Sequence, residues 1–154
     1  MSRIEEARDT LDVMLGYLGF VVEVEIDGNY EGEGLQVHTG EADLLIGRNG
    51  ERLDDIQYLL NRLLRKEEAK GQRIRVDVEH YRTMQEDDLV KGVQEMADVV
   101  RRTGRSVRLQ PMNSYHRRLV HNAFKDDPAI QTWSPSDSAR VKRITLMRRK
   151  TTRR

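Results

Sequence analysis

The chain has 154 residues, which allows one ordinary domain or two small ones and excludes a large multidomain enzyme. With 37% hydrophobic and 34% charged residues it is polar yet able to fill small cores, and the absence of Cys excludes disulfides, thiolate metal sites and cysteine nucleophiles. The net charge of +1 conceals a division: residues 1–80 carry 10 Lys/Arg against 18 Asp/Glu, residues 81–154 carry 17 against 8, and from Arg101 onward the count is 15 against 3, the footprint of a surface that meets polyanions.

Ile4, Ala7, Leu11, Leu15 and Leu18 recur at helical spacing among acidic residues, and Gly16 and Gly19 weaken the end of the pattern. Val22, Val24 and Ile26 alternate with Glu23 and Glu25, Asp27-Gly28-Asn29 turns the chain, and Leu35 and Val37 give a second short strand, which together read as a hairpin. A helical turn over 42–46 is interrupted by 47–50. A strong stripe of Leu53, Ile56, Leu59, Leu60, Leu63 and Leu64 then runs to about Ala69, and Ile74, Val76 and Val78 form a third strand. The next helical pattern, Met84, Leu89, Val93, Met96 and Val100, stops at Gly104. Val107 and Leu109 form a short strand broken by Pro111. Asn113 or Ser114 caps a helix carrying Leu119, Val120, Ala123 and Phe124, and strands are expected over 130–133 and 141–147 around the turn Ser134-Pro135-Ser136-Asp137.

Gly47-Arg48-Asn49-Gly50 falls between a helical turn and the start of a long helix. Two glycines let backbone approach a ligand, N–H groups at a helix start favour phosphate, Arg48 and Arg52 add charge, and Ile46, Leu53 and Ile56 offer an apolar floor for bases. A G-x-x-G in isolation is a common turn. In the order helix, strand, strand, helix, G-x-x-G, helix, strand, however, Leu-Ile-Gly-Arg-Asn-Gly resembles the nucleotide-clamping loop of the type II KH fold. The second constellation is Arg117 and His121, four apart and therefore on one side of a helix, with His116 on the apolar side. With Leu109-Gln-Pro-Met-Asn-Ser-Tyr115 before them and a basic strand after, they resemble the R3H domain, which binds single-stranded nucleic acid. That resemblance implies RNA contact through Arg117, Arg118, His121, Arg140 and Lys142, as the KH resemblance does through Ile46, Gly47, Arg48, Asn49, Gly50 and Arg52.

The expected fold class is α+β with two small domains. A type II KH-like α-β-β-α-α-β domain over 1–80 is followed by a linking helix over 81–104 and an R3H-like α/β domain over 105–150. That order resembles the bacterial Jag family, or SpoIIIJ-associated proteins. The resemblance implies a cytoplasmic RNA-binding protein linked with cell elongation and envelope biogenesis, here without the additional N-terminal domain of many relatives. Single-stranded RNA is the expected partner, with single-stranded DNA as an alternative ligand and another KH-domain protein as a homo- or heterodimer partner. The rival expectation is a KH-based interaction scaffold with weak or no RNA binding.

No enzyme, cofactor or metal is expected. Adjacent carboxylates at Asp54-Asp55, Asp87-Asp88 and Asp126-Asp127 diverge on a helix and are expected to be solvated; His38, His80, His116 and His121 lack metal-ligand spacing; and no P-loop or nucleophile elbow is present. Tyr115 and Trp133 are expected at the core or its rim rather than stacked on a base. No run nears the ~18 apolar residues of a membrane span, and the N-terminus lacks the plan of a signal peptide.

Overall fold

The computed structural model describes residues 1–64 and 72–150, so the expected continuation of the third helix to Ala69 and the basic residues Arg153 and Arg154 lie outside the described residues. The chain divides into two units, Met1–Thr83 and Met84–Arg154.

The first unit contains α1 (Arg3–Tyr17), β1 (Glu23–Ile26), β2 (Gly34–His38), α2 (Ala42–Ile46), α3 (Glu51–Leu63), β3 (Arg75–Val78) and the first turn of α4 (Tyr81–Thr103). Ser2 starts α1 through a reciprocal capping box with Glu5. The sheet has the order β1-β2-β3; β1 pairs with β2 antiparallel, Val24 opposite Val37, and β2 pairs with β3 parallel, Leu35 opposite Val76. Its helix-covered side buries Leu35, Val37, Ile74, Val76 and Val78 against Ala7, Leu11 and Leu15 of α1, Leu45 of α2, and Leu53 and Leu60 of α3. This is the α-β-β-α-α-β order that the KH resemblance implies. The α3 stripe is narrower than its leucines suggest: Leu53 and Leu60 are buried, whereas Leu59 and Leu63 face solvent, as does Leu18 beyond the end of α1.

Polar residues on the buried side of α3 close the outer edge of the sheet. Asn61 accepts from the Ile74 N–H and donates to its carbonyl, both at 2.8 Å, and Gln57 accepts from the Val76 N–H at 3.0 Å. A parallel edge strand thus has its backbone groups satisfied by side chains one helical turn apart.

The second unit holds the remainder of α4, β4 (Val107–Arg108), α5 (Ser114–Phe124), β5 (Ile130–Trp133) and β6 (Thr145–Arg148). The helix expected as a linker over 81–104 lies within this unit from Met84 and gives Val93, Ala97 and Val100 to its core, where they meet Leu109, Val120, Phe124, Ile130, Ile144 and Leu146. Ala123, placed by spacing on the apolar face of α5, is exposed. The sheet order is β4-β6-β5, all antiparallel. The strand expected over 141–147 begins at Thr145; Lys142 makes only an isolated bridge to Met112. The physical reason is a register shift. Val107 faces Leu146 but Met112 faces Lys142, so the first strand carries one extra residue across the Gln110–Pro111 stretch, where Pro111 has no N–H to offer.

Candidate nucleic-acid interface

The 47–50 loop joins α2 to α3 through a single 3-10 turn, Arg48–Gly50. Its conformation requires the glycines. Gly47 sits at φ 69, ψ −173, a region open essentially to glycine, and an added Cβ would lie 2.8 Å from Arg52 Cγ; Gly50 sits at φ 80 with Tyr81 Cε1 3.2 Å from an added Cβ. Asn49 takes φ 53, which Asn tolerates better than most residues. The result presents Arg48 and Asn49 as exposed side chains that bond nothing among the described residues. Of the expected apolar floor, Ile46 and Ile56 are half-buried against the core, whereas Leu53 is fully buried within it and offers no surface to a base. Arg52 Nη1 donates to the Leu44 carbonyl at 2.9 Å, so this exposed side chain links α2 to α3 and lies over Gly47.

On α5, Asn113 caps the helix by accepting from the His116 N–H at 2.8 Å. Arg117 and His121 follow on one side, but each has a structural partner. Arg117 Nη1 donates to the carbonyls of Met112 (2.7 Å) and Arg140 (3.3 Å), fastening α5 to the strand before it and the loop across from it. His121 Nδ1 lies 2.6 Å from Thr132 Oγ1 on β5. Burial, and secondarily the charge of Arg117, hold the His121 pKa below its ordinary value, which favours the neutral imidazole in the free protein. Arg118 and Arg140 expose guanidinium groups that no described residue pairs. Lys142 is engaged elsewhere, its ammonium donating to the carbonyls of Pro135 and Asp137. His116 is half-buried with its ring 5.9 Å from that of Tyr115.

Two residues were misjudged from sequence. Asp127 is not solvated: it accepts from the N–H groups of Ala129 (2.8 Å) and Ile130 (3.0 Å) and pairs with Arg101. Burial works against its ionisation, and those N–H groups with the guanidinium outweigh it, so the carboxyl is held below the usual range. Trp133 is 54% exposed, on the side of the sheet away from the helices, and takes no place in the core. Its place follows from alternation along β5, which sends Thr132 to the helix side and Trp133 to the other. Among the described residues no group of His, Asp and Glu is arranged to hold a metal ion, and no helix is long and apolar enough to cross a membrane.

Fold and motifs define a chain in which a KH-like unit with a G-x-x-G loop precedes a basic R3H-like unit. The R3H domain family matches residues 88–148. Proteins named RNA-binding protein KhpB are similar: that of Clostridium symbiosum is 30% identical over 86% of this chain and 61% of its own length, and that of Bacillus subtilis (strain 168) is 34% identical over 62% and 48%. A third, from Lactiplantibacillus plantarum, is 27% identical over 82% of this chain and 39% of its own length. The R3H match falls within the second unit, the one that carries the Arg117–His121 spacing, and the chain spans 61% or less of the length of these KhpB relatives.

Proposed function

We propose that this chain binds single-stranded RNA without catalysing a reaction on it, the KH-like clamp receiving unpaired nucleotides and the R3H domain gripping the adjoining backbone. The observation that carries this reading is the 47–50 loop, where two glycines at positive φ hold Arg48 and Asn49 out as side chains unpaired among the described residues at the start of α3. In the second unit Arg118 and Arg140 supply free positive charge beside the Arg117–His121 pair, and Arg52 acts as a brace of the clamp. The cytoplasm is the proposed location, and regulation of transcripts connected with cell elongation and envelope biogenesis is the proposed setting, as the family resemblance implies. Single-stranded DNA is the comparison ligand.

Replacing Arg48 and Asn49 together by Asp tests the clamp, since Asp also tolerates the left-handed backbone at position 49. Affinity for a labelled single-stranded RNA should fall at least tenfold, about 1.4 kcal/mol, with thermal stability unchanged. Unchanged affinity would reduce the loop to a turn.

A second reading is favoured by Tyr58, Leu59 and Leu63, which leave an apolar strip of α3 exposed at 49–64%. It makes α3 a surface for another KH-domain protein, in a homo- or heterodimer. Sedimentation of the chain alone, showing a dimer that Leu59→Glu dissociates, would support it.

A further inference from the structure

The second sheet has two different sides. Ile130, Ile144 and Leu146 are buried under the helices, and Thr132 on that side meets His121. Alternation places Gln131 and Trp133 of β5, Thr145 and Met147 of β6, and Arg108 of β4 on the opposite side. The register aligns three of them: Trp133 faces Thr145, and Thr145 faces Arg108. One row therefore runs indole, hydroxyl, guanidinium across three strands, with its ends about 10 Å apart at the usual strand spacing. Arg143, directly before the buried Ile144, is exposed beside the row.

Resting on the RNA-binding reading above, we infer that this open face is a base-stacking platform, on which an unpaired base lies against the Trp133 indole while Arg108 and Arg143 meet neighbouring phosphates. Charge favours this occupant. Arg108 and Arg143 pair with no described residue, none of the named face residues is acidic, and residues 84–154 carry 16 Lys/Arg against 8 Asp/Glu. The face is also too polar for the centre of a protein interface, since Trp133 and Met147 are its apolar members. An exposed aromatic among unpaired cations is the chemistry that holds single strands without reading their sequence. The platform is distinct from the Arg117–His121 pair because Thr132 and Trp133 project from opposite sides of β5. That strand is an edge of the sheet, so a strand of RNA rounding the edge meets both.

Trp133 is the single tryptophan of the chain, which makes its emission a direct reporter. The full chain is titrated with a fluorescein-labelled oligoadenylate and with an abasic oligoribonucleotide of equal length, and anisotropy is followed together with tryptophan emission. The oligoadenylate should quench Trp133 on binding and the abasic strand should not. Trp133→Ala should weaken oligoadenylate binding about fivefold or more, Trp133→Phe should restore most of it, and affinity for the abasic strand should stay the same. Arg108→Gln with Arg143→Gln leaves the indole in place and should reduce the magnitude of the log–log salt slope by about 1.4. Binding by anisotropy with unchanged emission and an unaffected Trp133→Ala variant would overturn the platform while leaving RNA binding intact. Absence of any anisotropy change with the unaltered chain would overturn the RNA reading itself, and the platform with it. Quenching by an added protein rather than by RNA would assign the face to a protein partner and overturn the proposal.

Discussion

At Gly50 the backbone occupies φ 80, and any side chain there meets the Tyr81 ring. Gly50→Ala should therefore lower stability by about 1–2 kcal/mol in urea denaturation followed by circular dichroism. The Arg48/Asn49 double substitution, a residue away, should cost nothing measurable. That contrast separates the loop's architecture from its binding surface. His121 gives a second contrast, in pH. An unfolded His takes a proton near pH 6.5, whereas the folded His121 does so only at lower pH because burial and Arg117 oppose the charge. Stability present above about pH 6.5 is therefore lost as pH falls toward the folded value, and His121→Gln should remove that part of the pH dependence. A phosphate bound at the pair reverses the local field and raises the His121 pKa, so RNA affinity should grow as pH drops through the bound value and should lose this growth in His121→Gln. Arg117→Ala should weaken binding at every pH but also lower the melting temperature, since Arg117 holds the carbonyls of Met112 and Arg140. Titrations of affinity between pH 5.5 and 8 beside thermal melts check all three proteins.

The turn between β3 and α4 shows how one buried carboxylate can set an element's direction. Glu79 and His80 both take left-handed backbone, at φ 46 and φ 57, a costly pair that persists because its surroundings fix it. Asp77, fully buried, accepts from the N–H groups of Val78 and Arg82, both at 2.9 Å, from the Thr83 hydroxyl at 3.2 Å and from Gln36 at 3.1 Å. It thereby joins β2, β3 and the start of α4. Asp77→Asn would turn an amide N–H toward donors, and one or two unsatisfied groups should cost about 2–4 kcal/mol in chemical denaturation. None of this network was legible in the sequence, where Asp77 reads as the polar partner in Arg75-Val-Asp-Val. Alternation shows which residues face away from one another, but it does not show that residues on both sides of β3 are buried. The elements themselves were legible, because each has its own period and a chemical stop: Gly104 after α4, Asn113 before α5, Pro111 after β4. The start of β6 was not, since Val141 and Arg143 fit a strand by composition and only the extra residue near Pro111 interrupts the ladder. The G-x-x-G and the Arg117–His121 spacing were legible as motifs. The bracing roles of Arg52, Arg117 and Lys142 depend on carbonyls outside their own helix or strand, and the periodic spacing within an element carries no information about those.

Over the whole molecule the two units oppose each other in charge, and the division at Thr83 and Met84 sharpens what each should contribute to binding. Residues 1–83 hold 11 Lys/Arg against 18 Asp/Glu, so long-range attraction of a polyanion falls to residues 84–154, with 16 against 8. On the proposed reading, the 47–50 loop in the first unit acts at short range through Arg48 and the start of α3. Contact with Z phosphates of a single strand gives a log–log salt slope near −0.7Z, and about four to six contacts over both units give roughly −3 to −4. Arg118, Arg140 and Arg143 are exposed and unpaired among the described residues, so changing all three to Gln removes charge without removing a structural bond. The slope should shrink in magnitude by about 2, affinity at low salt should fall more than affinity at high salt, and the melting temperature should stay within a few degrees. A truncation is the harsher test, and its boundary matters: a cut at residue 101 would strip Val93, Ala97 and Val100 from the core they fill, whereas a cut before Met84 keeps that core whole. Residues 1–83 alone should bind RNA weakly with a slope near that of one or two phosphates, about −1. If instead they retain the full slope, the contacts lie in the acidic unit and the basic one has another ligand; filter-binding titrations from 50 to about 300 mM salt distinguish the two outcomes.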